Sequence, residues 1–274
     1  MRPSLLQAVV ASALAAATAC TLTTDLGDFA REAESSPDDA SSHDGAAVDV
    51  DADAEAGANA DAGADAGESF FDDFSRPAGA LGNGWLEKIP GTFVLESGAV
   101  RKPGSTTSYR DNMVFRPASE DRRDAEASVE LNVALPVDYP QVFVRAQRAT
   151  LTRPDEYDGY LLYVEGVRTT AKLGRQRGTP FVVTLATLNI TPQLEAGQRY
   201  RLRLAATGTS PVKLDAFVER WSGDETGWRI EAEAHVDDAA STRLDAAGAV
   251  GFAANEADMV TTYDNFAWRA LEAP

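Results

Sequence analysis

Residues 124–135 read DAEASVELNVAL, and this stretch decides the predicted fold. Every odd-numbered position from 125 to 135 is apolar, whereas five of the six even-numbered positions are polar. Because side chains alternate across a strand, this repeat gives a strand one apolar face and one polar face. A helix would bring Glu126 and Glu130 into its apolar stripe. The stretch therefore predicts a half-buried strand in an antiparallel sheet.

Strand and turn signals continue through the rest of the chain from Ser69 onward. No stretch there keeps a 3.6-residue apolar period, which disfavours parallel βαβ architecture and favours a sandwich of two sheets. About 200 residues are enough for one substantial core. The further predicted strands are 70–74, 92–95, 99–102, 109–115, 142–147, 160–165, 170–175, 182–188, 200–205, 212–219, 228–236, 250–253 and 261–268.

Charge divides the chain into unequal parts. Residues 25–68 hold fourteen Asp or Glu against Arg31 alone, whereas residues 69–274 hold 29 acidic and 23 basic residues. Residues 21–68 are also poor in aromatic and β-branched side chains and close on the near-repeat DVDADAEAGANADAGADAG. Such a segment cannot bury enough apolar surface to fold, so we expect a disordered acidic tether. A chain this acidic lacks the basic stripe of a nucleic-acid-binding protein.

The first twenty residues, MRPSLLQAVVASALAAATAC, predict an export signal. Arg2 supplies a basic start, residues 5–17 are apolar, and small residues precede Cys20. The apolar run is too short for a dependable membrane span. Cys20 is the sole cysteine, which excludes a disulfide within the chain.

Two cleavage patterns compete at this point of the leader. Residues 17–19 fit the A-x-A rule of ordinary secretion, and the same residues followed by Cys20 resemble a bacterial lipobox. The lipobox resemblance implies an acylated lipoprotein, held in the cell envelope by a lipid on Cys20. Thr21 is not the aspartate that favours inner-membrane retention, so the resemblance implies the outer membrane or cell surface. Plain secretion is the alternative.

The order of the pieces after residue 69 resembles the concanavalin A-like, laminin-G-like jelly rolls of exported bacterial proteins. The pieces that carry the resemblance are FFDDFSRPAGALGNGW, TFVLESGAV, DGYLLYV, AKLGRQRGTPFVVTLA, RYRLRLAATG, AGAVGFAAN and YDNFAW. The resemblance implies an all-β, two-sheet antiparallel jelly-roll sandwich over residues 69–274, with FFDDF beside YDNFAW. Related folds hold a structural Ca²⁺ near their termini, which marks Asp73 (or Asp72) and Asp264 as candidate ligands. The alternative is that these acids cap strand ends, since Ca²⁺ needs six to eight oxygens.

Catalytic signatures are scarce in the sequence. Glucanases of the resembled group carry acids in an E-x-D-x-x-E pattern, and this chain has no such motif. The nearest substitute is WRIEAEAHVD, in which Glu231, Glu233 and His235 are predicted to share one strand face. Polar alternation on a solvated strand produces the same row without any catalytic role. No phosphate loop, G-x-S-x-G motif or dinucleotide fingerprint is present.

A glycan site needs aromatic platforms and planar hydrogen-bonding groups on one sheet face. If Val142, Val144 and Ala146 face the core, then alternation turns the neighbouring polar residues outward, and the same holds around Tyr160. Trp221 and Trp228 flank a polar loop and are a candidate rim platform, with hairpin packing as the alternative. The predicted ligand-binding set is Arg145, Gln147, Tyr163, Glu165 and Lys172.

These patterns favour a surface-tethered, non-catalytic binding module for carbohydrate or another envelope component. A divergent glycoside hydrolase that uses Glu231 and Glu233 is the first alternative, and a purely structural envelope lipoprotein is the second. We expect no cofactor beyond a possible structural calcium. The predicted partners are the membrane, through a lipid anchor, and a glycan or envelope protein.

Overall fold

A computed structural model describes residues 68–104, 108–134, 139–178, 182–223, 226–255 and 259–272. The predicted leader (1–20), its Cys20 and all of the predicted tether (21–68) except Glu68 lie outside the described residues. The domain from residue 69 to 274 is described apart from short gaps and its last two residues. Within the described ranges, no helix is long and apolar enough to cross a membrane.

The described residues form fifteen strands, one short helix and two 3₁₀ turns. The helix α1 is Arg148–Leu151, and the 3₁₀ turns are Tyr109–Asp111 and Ala118–Glu120. The strands are β1 (Ser69–Asp72), β2 (Leu86–Glu87), β3 (Val94–Glu96), β4 (Ala99–Arg101), β5 (Met113–Phe115), β6 (Ala125–Asn132), β7 (Gln141–Ala146), β8 (Gly159–Val164), β9 (Thr170–Gln176), β10 (Val182–Asn189), β11 (Arg199–Thr207), β12 (Val212–Trp221), β13 (Trp228–Asp238), β14 (Ala249–Ala253) and β15 (Thr262–Ala270).

The strands assemble into two antiparallel sheets. The eight-stranded sheet runs β13-β12-β11-β6-β15-β4-β3, with β1 paired to β15, and the seven-stranded sheet runs β10-β9-β8-β7-β14-β5-β2. Every registered strand pair is antiparallel. The predicted all-β, two-sheet antiparallel sandwich is confirmed.

Strand β6 lies inside the eight-stranded sheet, between β11 and β15. Its alternation is the one that the sequence predicts, since Ala127, Val129 and Leu131 are fully buried in the core between the sheets. On the opposite face Glu126 and Glu130 accept hydrogen bonds from arginines of the neighbouring strands. The two-residue repeat therefore sets both the core and the polar outer face of this sheet.

The first and last strands lie side by side, as the jelly-roll resemblance implies. Phe70 of β1 pairs with Trp268 of β15, and Asp72 pairs with Phe266. The chain thus begins and ends the domain at neighbouring positions of one sheet.

Asp72 organises the loop that follows β1. Its buried carboxylate accepts hydrogen bonds from the side chains of Arg76 (2.6 Å), Asn83 (3.0 Å) and Trp85 (2.7 Å), and from the backbone N–H of Phe74 (2.9 Å). Burial alone would raise the pKa of Asp72, but these hydrogen bonds hold it below its usual range. The carboxylate thereby anchors Trp85, whose ring packs in the core.

Apolar residues also cover part of the outer face of the seven-stranded sheet. On β7, Val142 and Val144 face the main core, whereas Phe143 belongs to a second apolar cluster on the other side. Residues after β7 fold back over this face and bury it. The members of the cluster are Met113, Phe115, Phe143, Ala146, Leu151, Tyr157, Leu161, Ala249 and Ala253.

Candidate functional site

A groove of ≈ 350 Å³ opens on the outer face of the seven-stranded sheet, next to the second apolar cluster. Its volume lies within the range of ligand sites, roughly 300–1,000 Å³. Three of its lining residues are tyrosines and two carry side-chain amides. The lining consists of Tyr109, Tyr139, Gln141, Leu161, Tyr163, Val182 and Asn255.

Strand alternation places the floor of this groove. On β8, Tyr160 and Leu162 point into the main core, so Leu161 and Tyr163 point to the outer face. Gln141 of β7 lies directly opposite Tyr163 in the register and therefore shares its face.

A glycine shapes the end of the floor. Gly174 of β9 pairs with Leu161, and a Cβ atom on it would lie 2.1 Å from Cγ1 of Val182. Only glycine therefore lets Val182 lie against the sheet at this point.

Tyr109 reaches the groove from a 3₁₀ turn that a buried lysine holds in place. Lys88 Nζ donates to the backbone carbonyls of Arg110 (3.1 Å) and Glu156 (2.5 Å), and it lies 3.1 Å from the Asp111 carboxylate. Burial lowers the pKa of Lys88, an effect that the Asp111 carboxylate opposes. These contacts fix the turn and with it the position of the Tyr109 ring.

Asn255 is positioned through its own backbone. The side-chain amide of Asn112 donates to the Asn255 carbonyl at 2.7 Å, and the N–H of Ala254 donates to the Asn112 carbonyl at 3.0 Å. The fully buried Asn112 thus ties the end of β14 to the turn that carries Tyr109. Tyr139, 39% exposed, completes the wall from the segment before β7.

The groove keeps its hydrogen-bonding groups neutral. Burial raises the pKa of Tyr163, so its hydroxyl stays protonated and can donate at physiological pH. Beside it, Lys172 Nζ and a Glu165 carboxylate oxygen lie 2.5 Å apart, and Thr170 donates to the same carboxylate at 2.5 Å. This charged pair is therefore internally compensated.

This combination of groups suits an uncharged, polyhydroxylated ligand. Aromatic faces pack against the C–H surface of such a ligand, while amides and phenols donate and accept hydrogen bonds. None of the seven lining residues carries a charge. The groove therefore offers shape and hydrogen bonds rather than a charged recognition group.

The structure brings together three of the five predicted ligand-binding residues. Tyr163 lines the groove, and Glu165 and Lys172 form the ion pair beside it. Gln147 lies at the other end of β7, where its amide donates to the backbone carbonyls of Arg145 (2.8 Å) and Ala247 (3.4 Å).

The prediction that Arg145 points outward is wrong, because its side chain is fully buried. Its guanidinium donates to the carbonyls of Arg123 (2.5 Å), Leu244 (2.8 Å) and Gly208 (2.7 Å), and to the Asp124 carboxylate (3.3 Å). No ligand can reach it there, and its donors serve the fold.

A β-bulge in β7 explains why alternation fails at Arg145. Between the pairs Ala249–Ala146 and Gly251–Phe143, β7 uses three steps where β14 uses two. Arg145 also has φ +54°, in the left-handed region. The extra residue re-aims the side chain from the outer face to the interior.

Four of the five hydrogen-bonding residues of the groove were absent from the predicted set. Gln141 belongs to the same alternating series as Phe143, so the two-residue repeat of β7 was a usable signal for it. Tyr109, Tyr139 and Asn255 come from turns and strand ends, and only the tertiary fold brings them to the groove.

Glu231 and Glu233 do not share a strand face. A bulge in the pairing of β12 with β13 leaves Glu231 without a register partner. The Glu231 carboxylate is 2% exposed and lies 2.9 Å from Nε of Arg220 without the alignment of a hydrogen bond, whereas the Glu233 side chain is 51% exposed. The neighbouring Ile230 is 46% exposed. This arrangement does not form the paired, accessible carboxylates that glycosidases use.

Trp221 and Trp228 lie across from each other where β12 ends and β13 begins. Their rings pack edge to face with centroids 5.3 Å apart, and both are partly exposed. The Arg199 guanidinium lies over both rings, at 5.2 and 5.9 Å. The pair packs within its hairpin, on the sheet opposite the tyrosine groove, and both rings also line an open cavity of ≈ 880 Å³. The rim platform stays a prediction.

Asp73 and Asp264 are the candidate calcium ligands. Burial is the main cause of the raised pKa of Asp264, and the charges of Glu130 and, to a smaller extent, Asp73 add to it. Among the described residues, no three His, Cys, Asp or Glu side chains come together as metal ligands would. Two carboxylates fall short of the six to eight oxygens of a calcium site. Calcium at this position stays a prediction.

No protein-family model matches the chain, and no curated protein sequence matches it. Solved structures with a similar fold include a β-glucanase of Bacillus licheniformis (11% identity, TM-score 0.48, covering 76% of this chain and 100% of that one). The metal-free form of lectin I-B4 from Griffonia simplicifolia is similar over 75% of this chain and 100% of that one (11% identity, TM-score 0.47). The catalytic domain of an endo-1,3-β-glucanase (laminarinase) from Thermotoga petrophila covers 74% and 96%, at 9% identity and TM-score 0.44. All three are distant similarities.

Proposed function

We propose that this chain is a non-catalytic, surface-tethered module that binds carbohydrate in the tyrosine groove of its seven-stranded sheet. One observation carries the proposal: three tyrosines and two side-chain amides converge on a groove of ≈ 350 Å³ whose lining is uncharged. Aromatic platforms with a few convergent polar groups are the usual composition of such ligand sites. The expected ligand is a neutral glycan segment.

Binding is tested with a glycan array on the purified protein, followed by calorimetry on the best glycan. Tyr163→Ala should weaken binding at least about tenfold, which corresponds to about 1.4 kcal/mol. Tyr163→Phe keeps the ring and removes the hydroxyl, so it separates stacking from hydrogen bonding. Phe71→Ala is the matched control, since Phe71 is an aromatic residue 61% exposed on the other sheet. If the array shows no binding and an envelope protein co-purifies with the chain, the proposal that the groove binds carbohydrate is overturned.

The module is proposed to lack catalysis because Glu231 is buried against Arg220 and turned away from Glu233. Incubation of the chain with the bound glycan should release no new reducing ends. Hydrolysis that disappears in a Glu231→Gln and Glu233→Gln double variant would instead establish the glycosidase alternative.

The proposal includes a lipid anchor on Cys20 and placement in the cell envelope, at the outer membrane or cell surface. Its support is the composition of residues 1–20 and of the acidic stretch 21–68. The expressed chain should partition into detergent with the membrane fraction, whereas Cys20→Ser should release it. A Cys20→Ser chain that stays with the membrane would contradict the lipid anchor on Cys20. It would not bear on the proposal that the groove binds a glycan.

A further inference from the structure

Strand β10 (Val182–Asn189) forms an open edge of the seven-stranded sheet. Among the residues that the structure describes, it pairs with β9 alone. Four of its eight residues are exposed and Leu188 alone is buried; Val183 is 51% exposed. The outward backbone N–H and C=O groups of such an edge are free to pair with another strand.

The edge is also uncharged. Residues 178–194 read GTPFVVTLATLNITPQL, seventeen positions without Asp, Glu, Lys, Arg or His. In residues 69–274 as a whole, 29 acidic and 23 basic residues make one position in four charged. A run of this length therefore departs strongly from the composition of the domain around it.

The other sheet ends have the protection that β10 lacks. Strand β13 carries Arg229, Glu231, Glu233 and Asp237, while the edge strands β1, β2 and β3 are four, two and three residues long. Charge and shortness are the usual devices that keep sheet edges from pairing. The bulge at Leu185 is the only such device on β10, and it leaves Ala186–Asn189 in regular register with β9.

We infer that β10 is a self-association edge, which pairs antiparallel with β10 of a second copy. Antiparallel pairing of one strand with itself is isologous, so each copy offers the surface that the other needs. Pairing of β10 with itself brings no like charges together. Pairing of β13 with itself would instead place acidic side chains of the two copies close to each other. A two-fold axis perpendicular to the joined sheet leaves the same face of both copies on the same side.

The expected dimer is weak. Eight residues extend over about 27 Å, and such a contact buries less than the ~800 Å² per partner of a standard interface. We expect a dissociation constant between about 10 µM and about 1 mM.

Sedimentation equilibrium on the purified chain from residue 21 onward tests the inference, with no glycan present. Val183→Lys with Thr184→Lys should weaken the dimer at least about tenfold, because lysines on an edge oppose strand pairing. Val260→Lys is the matched control, since Val260 is 43% exposed outside the strands and should leave the constant unchanged. Circular dichroism establishes that each variant is folded.

Amide hydrogen exchange on the unmodified chain gives a second measurement that needs no variant. Amides of β10 should gain protection as the protein concentration rises through the dissociation constant, while amides of β13 should not. A monomer at every concentration up to about 1 mM overturns the inference. A dimer that leaves β10 unprotected, or that survives the two lysines, overturns it as well. Glycan binding by the monomer is unaffected by either outcome.

Discussion

The outer faces of the two sheets use their polar groups in opposite ways. On the eight-stranded sheet, Arg203 lies between Glu126 and Glu219 at 3.1 Å from each, and Arg201 donates to Glu219 at 2.6 Å. On the seven-stranded sheet, the groove lining is uncharged and combines three tyrosines, two side-chain amides and two aliphatic residues. The difference teaches that one face is stabilised by ion pairs between its strands, whereas the other presents an uncharged, largely aromatic groove.

The largest expected effect concerns Arg145, which the sequence assigns to the ligand-binding set and the structure buries. Arg145→Met should cost about 3–5 kcal/mol of unfolding free energy, because it removes the donor of three carbonyls and the buried cation that lies beside the Asp124 carboxylate. Urea denaturation measures the loss. Arg153→Met is the control, since that arginine side chain is 62% exposed. Equal stabilities of the two variants would show that Arg145 has no structural role.

The second effect tests whether the ion pairs on the outer face of the eight-stranded sheet stabilise the fold. Glu219→Gln should cost about 1–3 kcal/mol, since the carboxylate is 5% exposed and accepts from two arginines. Glycan affinity should not change. Glu233→Gln, at a carboxylate 51% exposed, should be neutral in the same urea titration. A loss of glycan affinity in Glu219→Gln would break the division between the two faces.

A third change should stabilise the protein. Burial raises the pKa of Asp264 above the 3.8 of the unfolded chain, and nearby acids add to this. Protonated Asp264 therefore favours folding below about pH 3.8, and this contribution is lost as the pH rises through the raised pKa.

Asp264→Asn should accordingly be more stable than the natural chain at pH 7 and equal to it at pH 3. Thermal melts at both pH values measure the difference. Asp73→Asn should show no such gain, because a hydrogen bond from Ser75 lowers the pKa of that exposed carboxylate. If added Ca²⁺ stabilises the natural chain and Asp264→Asn removes that response, the two carboxylates do bind calcium.

The smallest effect concerns an exposed histidine–aspartate pair on the outer face of the eight-stranded sheet. Nδ1 of His235 lies 2.6 Å from the Asp215 carboxylate, and this hydrogen bond raises the pKa of His235 above 6.5. The contribution to stability is present below about pH 6.5 and is lost as the pH rises through the raised value. NMR titration of the imidazole should show the raised pKa, and Asp215→Asn should return it toward 6.5. A titration that Asp215→Asn leaves unchanged would assign the shift to another group.

The sequence predicts the fold well because the signal repeats along the chain. In β6 the alternation of Ala127, Val129 and Leu131 with polar residues is strict, and the structure follows it. One misplaced strand boundary changes little when many strands carry the same pattern.

The candidate site is harder to predict because single residues break the pattern. Bulges re-aim Arg145 in β7 and Glu231 in β13, and nothing in the local alternation marks either one. The stretch 109–115, predicted as one strand, divides into a 3₁₀ turn with Tyr109 and the short strand β5. Tyr139 and Asn255 join the groove through contacts distant in sequence, which no periodicity records.

The place of β15 in the eight-stranded sheet has a consequence for the timing of folding. Although it is the last strand of the chain, it lies between β6 and β4 and also pairs with β1. The part of this sheet that contains β1, β4 and β15 therefore cannot complete its pairing until β15 has left the ribosome.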